Sequence, residues 1–179
     1  GAMLLRRGDV DALLCGTVGQ FADHLSHVSS IIGIRYSAHC FAAMNLLLLP
    51  RHTVFICDTY VNQDPDPEQI AEMTLLAAEE MRRFGIVPKA ALLSHSSFGS
   101  SAAPSARKMR DALALITQRA PTLEIEGEMR GDTALSEDLR RVTFPNGRLT
   151  GDANLLIMPT LDAANIAFNL LKTASGDGI

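Results

Sequence analysis

Tryptophan is absent from the 179 residues, and the aromatic set is limited to 7 Phe and 2 Tyr. Stacking of bases or sugars on aromatic faces is therefore not expected to be the main mode of binding. The core has to be aliphatic, built from Leu, Ile, Val, Ala and Met. Basic residues are not in excess either: 16 Lys and Arg stand against 20 Asp and Glu, a formal net charge of −4. A general nucleic-acid binder carries the opposite balance, so that class of partner is excluded, although a local anion site is not. No CxxC occurs among Cys15, Cys40 and Cys57, and an odd number of cysteines makes a poor disulfide framework. Each lies in an apolar run and is expected as a buried thiol, a usage that suits a reducing cytoplasm. No apolar signal segment follows Gly1-Ala2-Met3, and the run Leu46 to Leu49 is far too short to span a membrane. Neither GxGxxG nor GxxxxGK[ST] is present, which removes the dinucleotide fingerprint and the P-loop.

What remains is an ordinary globular chain, 47% hydrophobic, long enough to bury roughly 70% of its unfolded surface. Short apolar runs alternate with segments of helical spacing. Asp11–Gly16, Ser37–Leu49, Thr53–Asp58, Lys89–Ser94, Glu124–Met129 and Ala153–Pro159 have strand character, the last as a central strand. Helices are expected over Phe21–Ile32, Pro67–Phe84, Pro104–Ala120, Thr133–Arg140 and Asp162–Lys172. Asp66 is a good N-cap with Pro67 at the first helical position, and Gly85 stops that helix. Pro145-Asn146-Gly147 is a turn. Strands separated by helices of this length predict a mostly parallel α/β sheet covered on both faces, a three-layer sandwich.

Open parallel sheets bind ligands at the carboxyl ends of their strands, and three strand exits carry polar chemistry. Ser94 to Ser101 offers hydroxyls and backbone N–H groups at a helix entry, with Arg107 and Lys108 following; this suits an anion such as phosphate, or simply a hydroxyl-rich helix start. Ser94 or Ser96 with His95 could suggest a nucleophile and base, but neighbouring residues on a strand point to opposite faces, so that pairing is geometrically poor. Pro159 to Asn165 enters the last helix, with Asp162 able to cap it. Asp58 to Asn62 reads as a turn held by Asp and Asn side chains. Glu126, Glu128 and Asp132 are candidate paired carboxylates, or else groups that are solvated or bonded to backbone. His24 and His27 stand three apart on a helix without an evident third ligand, so no metal is expected.

These exits resemble one family. Ala153-Asn154-Leu155-Leu156-Ile157-Met158-Pro159-Thr160-Leu161-Asp162-Ala163-Ala164-Asn165-Ile166-Ala167-Phe168 is similar to the AN-hydrophobic-P-x-L-(D/N)-A-G-N-I-x-Y signature of phosphate acetyl/butyryl transferases. Ile125 to Leu135 resembles that family's D-G-E-(L/M)-Q-x-D-x-A-(L/I) segment, Leu93 to Ser100 its L-S-x-S-x-x-G-S loop, and Asp11 to Gly16 its early A-D-G segment. The departures point to a branch. The Thr pair of active transferases is missing after Gly16, Ser26 stands where Arg is expected, Phe98 replaces Lys or Gly, and Ala164 replaces Gly. This pattern resembles the C-terminal transferase-like domain of bacterial NADP-dependent malic enzymes.

The resemblance implies an isocitrate/isopropylmalate dehydrogenase-like fold. It places residues 4–174 in the second lobe of a phosphotransacetylase-type domain, with 1–3 a tag remnant and 175–179 a truncated linker toward the first lobe. The family's return segment, which carries catalytic Ser, Arg and Asp in active transferases, lies beyond Ile179 on this reading, so the chain is expected not to be catalytic alone. The expected role is regulatory: acetyl-CoA bound in the interlobe cleft, with Ser96, Ser97, Gly99, Ser100, Asp162 and Asn165 contributing one wall. The resemblance implies acetyl-CoA as the effector, no cofactor in this chain itself, and NADP and a divalent metal in the N-terminal malic domain. Partners are the first lobe, that malic domain and a second copy in a homodimer. The alternative is a lobe of a phosphate acetyltransferase that moves acetyl between CoA and phosphate.

Overall fold

The apolar runs of the second half and centre of the chain assemble into one five-stranded sheet, in a computed structural model that describes residues 1–176. The strands are β1 (Met44–Leu48), β2 (Thr53–Cys57), β3 (Lys89–Leu93), β4 (Glu124–Met129) and β5 (Leu155–Ile157), in the order β1-β2-β5-β3-β4. Only β1 is antiparallel to its neighbour, with Leu46 opposite Phe55; β2, β5, β3 and β4 run parallel. The last strand is thus the central one, as its uninterrupted apolar sequence predicts, since a strand covered on both faces has no need of alternation.

The helices are α1 (Ala2–Arg7), α2 (Phe21–Ile31), α3 (Pro67–Arg83), α4 (Pro104–Arg119), α5 (Gly131–Ala134), α6 (Glu137–Thr143) and α7 (Leu161–Ala174). The chain divides into two compact units, Gly1–Cys40, which holds α1 and α2, and the portion from Phe41 onward, which holds the sheet and α3 to α7. In the larger unit α3 and α4 pack together and against the sheet. Leu47, Val54, Ile56, Ala91, Leu93, Met129 and Leu156 form a core with Ala164, Ala167, Phe168 and Leu171 of α7. Helices on both faces give the three-layer α/β domain.

α3 shows how local chemistry sets these elements. Asp66 Oδ1 accepts from Gln69 N at 2.8 Å and Gln69 Oε1 accepts from Asp66 N at 3.0 Å, a reciprocal cap that satisfies two otherwise orphaned donors. Ile70, Met73, Ala77 and Met81 are buried along one face. Gly85, at φ 75° where a side chain would be strained, lets Ile86 N return to Met81 O at 3.0 Å and closes the helix.

Four expectations are corrected. Asp11–Gly16 is not a strand: no segment of Gly1–Cys40 pairs with it, and Leu14 is fully exposed. The run Ser37–Leu49 is strand only over Met44–Leu48, and the N–H just before it, that of Ala43, donates to Asp58 Oδ1 at 3.1 Å rather than to the ladder. The helix expected over Thr133–Arg140 is split into α5 and α6; Ser136 Oγ accepts from Leu139 N at 3.4 Å and starts the second. α7 is capped by Thr160, whose Oγ1 accepts from Ala163 N at 3.2 Å, and not by Asp162. Of the expected linker 175–179, Ser175 and Gly176 follow α7, with Ser175 Oγ donating to Leu171 O at 2.7 Å; residues 177–179 lie outside the described residues.

Two carboxylates near the α5–α6 junction tie stability to acid. The backbone N–H of Thr133, with Arg130, holds the Asp132 carboxyl below its ordinary 3.8, and the backbone N–H of Gly151, with Arg141, holds Glu137 below its ordinary 4.5. A carboxyl lowered in the folded state stabilises that state above its unfolded value and loses this contribution as pH falls through the folded one. The double variant Asp132→Asn, Glu137→Gln should therefore show a shallower fall of urea midpoint with acidification below about pH 4.5; an unchanged slope would refute this assignment.

Candidate functional site

Because β2, β5, β3 and β4 are parallel, their carboxyl ends lie along one edge of the sheet, and all the polar strand exits emerge there. At the end of β2, Asp58 is buried and fully committed. It accepts from the N–H groups of Ala43, Tyr60, Val61 and Asn62 and from Asn62 Nδ2 at 2.5 Å. Asn62 Nδ2 also reaches Phe41 O at 2.8 Å. This is the expected Asp and Asn turn, with no lone pair left for a ligand.

β3 leads into the serine loop. Ser96 is buried and its Oγ donates to Glu128 Oε1 at 2.7 Å; Gly99 N donates to the same oxygen at 3.1 Å. Ser97 N donates to Ser100 Oγ at 3.1 Å, and Ser97 Oγ accepts from Arg130 N at 3.2 Å. Phe98 stands at φ 50°, and its N–H donates to Glu128 O at 2.7 Å. The loop therefore spends much of its hydrogen bonding on its own framework and presents Ser100 and Gly99 as exposed positions. The strand ends at Leu93, so the alternation that would separate Ser94 from His95 does not apply. Ser94 Oγ lies 3.5 Å from His95 Nδ1, and His95 Nε2 lies 3.2 Å from Ser101 Oγ. Among the described residues that imidazole meets the two serine hydroxyls, and the contacts are long for a catalytic pair.

Glu128 is the residue on which the loop converges. The register of β3 and β4 shifts there: Leu92 faces Gly127, and Leu93 faces Met129. Glu128 is the extra residue of this bulge, a device that re-aims a side chain out of the ladder. Its Oε1 accepts from Ser96, Gly99 N and Arg110 Nη1, the last at 2.9 Å. Glu126 is bonded to backbone instead, accepting from Arg148 N at 2.9 Å. Asp132 pairs with Arg130 at 3.0 Å and is partly exposed. The three acidic residues are thus not a paired-carboxylate site. Arg110 was not among the residues singled out from the sequence; its only signal there was one basic residue on a helix following the serine loop.

β5 leads into α7. Asp162 is exposed in the first turn, whereas Asn165 Nδ2 donates to Thr59 O at 3.4 Å and so leans toward the β2 exit. Lys108 Nζ binds Asp64 Oδ1 at 2.5 Å and Pro159 O at 2.7 Å, joining the β2–α3 loop to the end of β5. Its charge is thereby spent on the framework. The six expected site residues therefore lie beyond the carboxyl ends of the adjacent strands β3 and β5, four in the serine loop and two on α7. Ser96 and Gly99 meet at Glu128, Ser97 meets Ser100, and Asp162 and Asn165 stand apart on α7.

His24 Nε2 bonds Val18 O at 2.9 Å, and among the described residues no group of His, Cys, Asp or Glu could hold a metal ion. The cysteines differ from expectation: Cys57 is buried within β2, but Cys40 is half-buried and Cys15 exposed. An apolar run hides a thiol only where it joins a packed element. No helix among the described residues is long and apolar enough to cross a membrane.

The NADP-dependent malic enzyme of Escherichia coli strain K12 is 53% identical over 179 residues, all of this chain and 24% of that protein, and the match lies in its C-terminal region. The phosphate acetyltransferase of Haemophilus influenzae is 29% identical over 175 residues, 98% of this chain and 25% of that protein. The chain thus spans about a quarter of the length of these curated relatives. Among solved structures, the EutD phosphotransacetylase from Staphylococcus aureus superimposes with a TM-score of 0.91 at 28% identity, covering 100% of this chain and 56% of that one. A family model, phosphate acetyl/butaryl transferase, matches residues 1–177, and with the parallel sheet and its polar strand exits in place, the chain belongs to that family.

Proposed function

We propose that this chain is a regulatory, acetyl-CoA-sensing and dimerising lobe of an NADP-dependent malic enzyme that converts malate to pyruvate by oxidative decarboxylation in the cytoplasm. On this reading it performs no chemistry alone. NADP and the divalent metal are held by the malic domain, and acetyl-CoA lies between this lobe and the first lobe. The carrying observation is the placement of the serine loop and the start of α7 beyond the carboxyl ends of adjacent parallel strands at one sheet edge. The much higher identity to malic enzymes than to transferases supports the branch. Ser96, Ser97, Gly99, Ser100, Asp162 and Asn165 form the wall, of which Ser100, Gly99 and Asp162 are the exposed members. Ile166 and Leu170, exposed on α7, are candidates for the face buried in a homodimer.

The test is titration of the full-length protein with acetyl-CoA, with malate oxidation measured alongside. Acetyl-CoA should bind and change the rate, as an effector that prefers one arrangement of the lobes must. Ser100→Ala should weaken that effect roughly 3- to 10-fold, the loss of about one hydrogen bond. No binding at millimolar acetyl-CoA, or no malate oxidation at all, would sink the reading. A second reading, a phosphate acetyltransferase lobe, is favoured by the close superposition on a phosphotransacetylase. It requires the full-length protein to form acetyl phosphate from acetyl-CoA and phosphate.

A further inference from the structure

Phe98 and Gly99 both stand in the left-handed backbone region, at φ 50° and 88°. Glycine adopts it freely, but a bulky residue stays there only where its surroundings hold it. The Ser97–Ser100 turn closes on itself, Ser97 N donating to Ser100 Oγ and Ser100 N to Ser97 O, each at 3.1 Å. It is tied to the end of β4 chiefly through Glu128. Phe98 N donates to the carbonyl of that residue at 2.7 Å, and Gly99 N and Ser96 Oγ donate to its Oε1 at 3.1 and 2.7 Å. Arg110, on α4, completes the arrangement. Its Nη1 donates to Glu128 Oε1 at 2.9 Å and to Ser101 O at 3.1 Å, one N–H to each. A single nitrogen thus holds both the anchor of the turn and the residue that leaves it. An arginine and a carboxylate paired for their own sake favour a two-pronged contact that uses both oxygens. Here the guanidinium and two loop donors converge on Oε1, while Oε2 of the fully buried Glu128 has no partner among the described residues. The pair is shaped to hold the loop.

We infer that Arg110 is a positioning residue for the acetyl-CoA wall: through Glu128 and Ser101 it fixes where the exposed Ser100 hydroxyl stands, and so sets the affinity of this lobe for the effector. The inference rests on the acetyl-CoA reading above and adds to it a residue that acts from behind the wall. Without Arg110, Glu128 becomes a buried carboxylate with no countercharge, and the carbonyl of Ser101 loses its tie to that anchor. The left-handed Phe98 then has less to hold it, and the turn that carries Ser100 loosens.

The experiment is calorimetric titration of the full-length protein with acetyl-CoA in a double-mutant cycle. Arg110→Met should weaken binding about 10-fold or more. Arg110→Lys should recover most of that loss, because both bonds leave one nitrogen and an ammonium can donate both. The coupling is the decisive readout. Ser100→Ala should weaken binding roughly 3- to 10-fold in the wild-type background but less than about 2-fold beside Arg110→Met, where the hydroxyl is already misplaced. A residue that merely supported the fold would leave the two losses multiplying. Without ligand, hydrogen exchange over residues 94–101 should be faster in Arg110→Met, with Thr53–Cys57 unchanged. If that variant does not fold, Arg110→Met combined with Glu128→Gln leaves no lone buried charge and takes its place with the same expectations. Affinity within about 2-fold of wild type, losses that multiply, or unchanged loop exchange would overturn the inference and leave the acetyl-CoA reading standing. No uptake of acetyl-CoA by the wild-type protein would overturn that reading and the inference with it.

Discussion

Replacing Arg140 by methionine should destabilise the chain by about 3 to 5 kcal/mol, the cost of breaking a buried charged network. Arg140 is only 2% exposed, and its charge helps to hold the Glu137 carboxyl down, but its hydrogen bonds do not go to that carboxylate. Instead Nη1 donates to Thr133 O and Ala134 O at 3.2 and 3.4 Å, and Nη2 to Leu149 O at 3.2 Å and to Gly151 O. One side chain therefore satisfies carbonyls from the end of α5 and from the 149–151 segment that feeds β5. Methionine fills much of the volume but takes the guanidinium donors away from Thr133, Leu149 and Gly151, while Ala134 O keeps the N–H of Ala153 at 2.9 Å. Lysine keeps the charge, but a single ammonium cannot present a planar fork to both segments, so Arg140→Lys should fall between wild type and methionine. Urea unfolding measures both. A loss below about 1 kcal/mol in Arg140→Met would mean that the carbonyls find water and that the network is dispensable.

Gly127→Ala should cost about 3 kcal/mol or more, through overpacking with added backbone strain. A Cβ at Gly127 would sit 2.7 Å from Leu92 Cβ and 2.8 Å from Leu92 O, and the residue has φ +157°. Neither obstacle can move cheaply, since both belong to the neighbouring strand in the middle of the β3–β4 ladder. The damage should be directional as well as energetic. Pushing β4 from β3 displaces the bulged Glu128, so the amides of Ser96 and Gly99 should shift more than those of α7. Gly131 is the control: nothing lies within 4 Å of its would-be Cβ, and it begins α5. Gly131→Ala should stay within about 1 kcal/mol of wild type. Equal losses in the two variants would show that glycine's conformational freedom, and not the close approach to Leu92, is what matters at 127.

The sheet was largely legible because its strands are short apolar runs with clear stops, and α3 because Asp66, Pro67 and Gly85 mark both ends. Asp11–Gly16 misleads by the same rule, since apolar content does not supply a pairing partner. Ser96 and Gly99 could be singled out as loop residues with free-standing polar groups. That both would turn inward to one carboxylate could not, because Glu128 is 32 residues from Ser96 and its direction depends on a bulge that only the paired strands create. Arg140 was illegible for a related reason. In Glu137-Asp138-Leu139-Arg140-Arg141 it reads as one of a solvated charge run, and its burial is decided by carbonyls at Leu149 and Gly151 that come later in the chain. Lys108 could be read as a spare cation near a helix start, yet its partners Asp64 and Pro159 lie far away on both sides in sequence.

The position of β5 has a consequence for how the chain reaches this state. β2 and β3 do not pair with each other; each pairs with β5, which follows the other four strands of this sheet in the chain. Until Leu155–Ile157 leaves the ribosome, the nascent chain can form only two separate ribbons, β1 with β2 and β3 with β4, each with an unpaired apolar edge. The final insertion joins contacts of long sequence separation, the kind that slows folding. A nascent chain stalled before residue 155 is therefore an open-edged, aggregation-prone species, and its completion is a single late event in which the centre of the sheet arrives after both of its flanks.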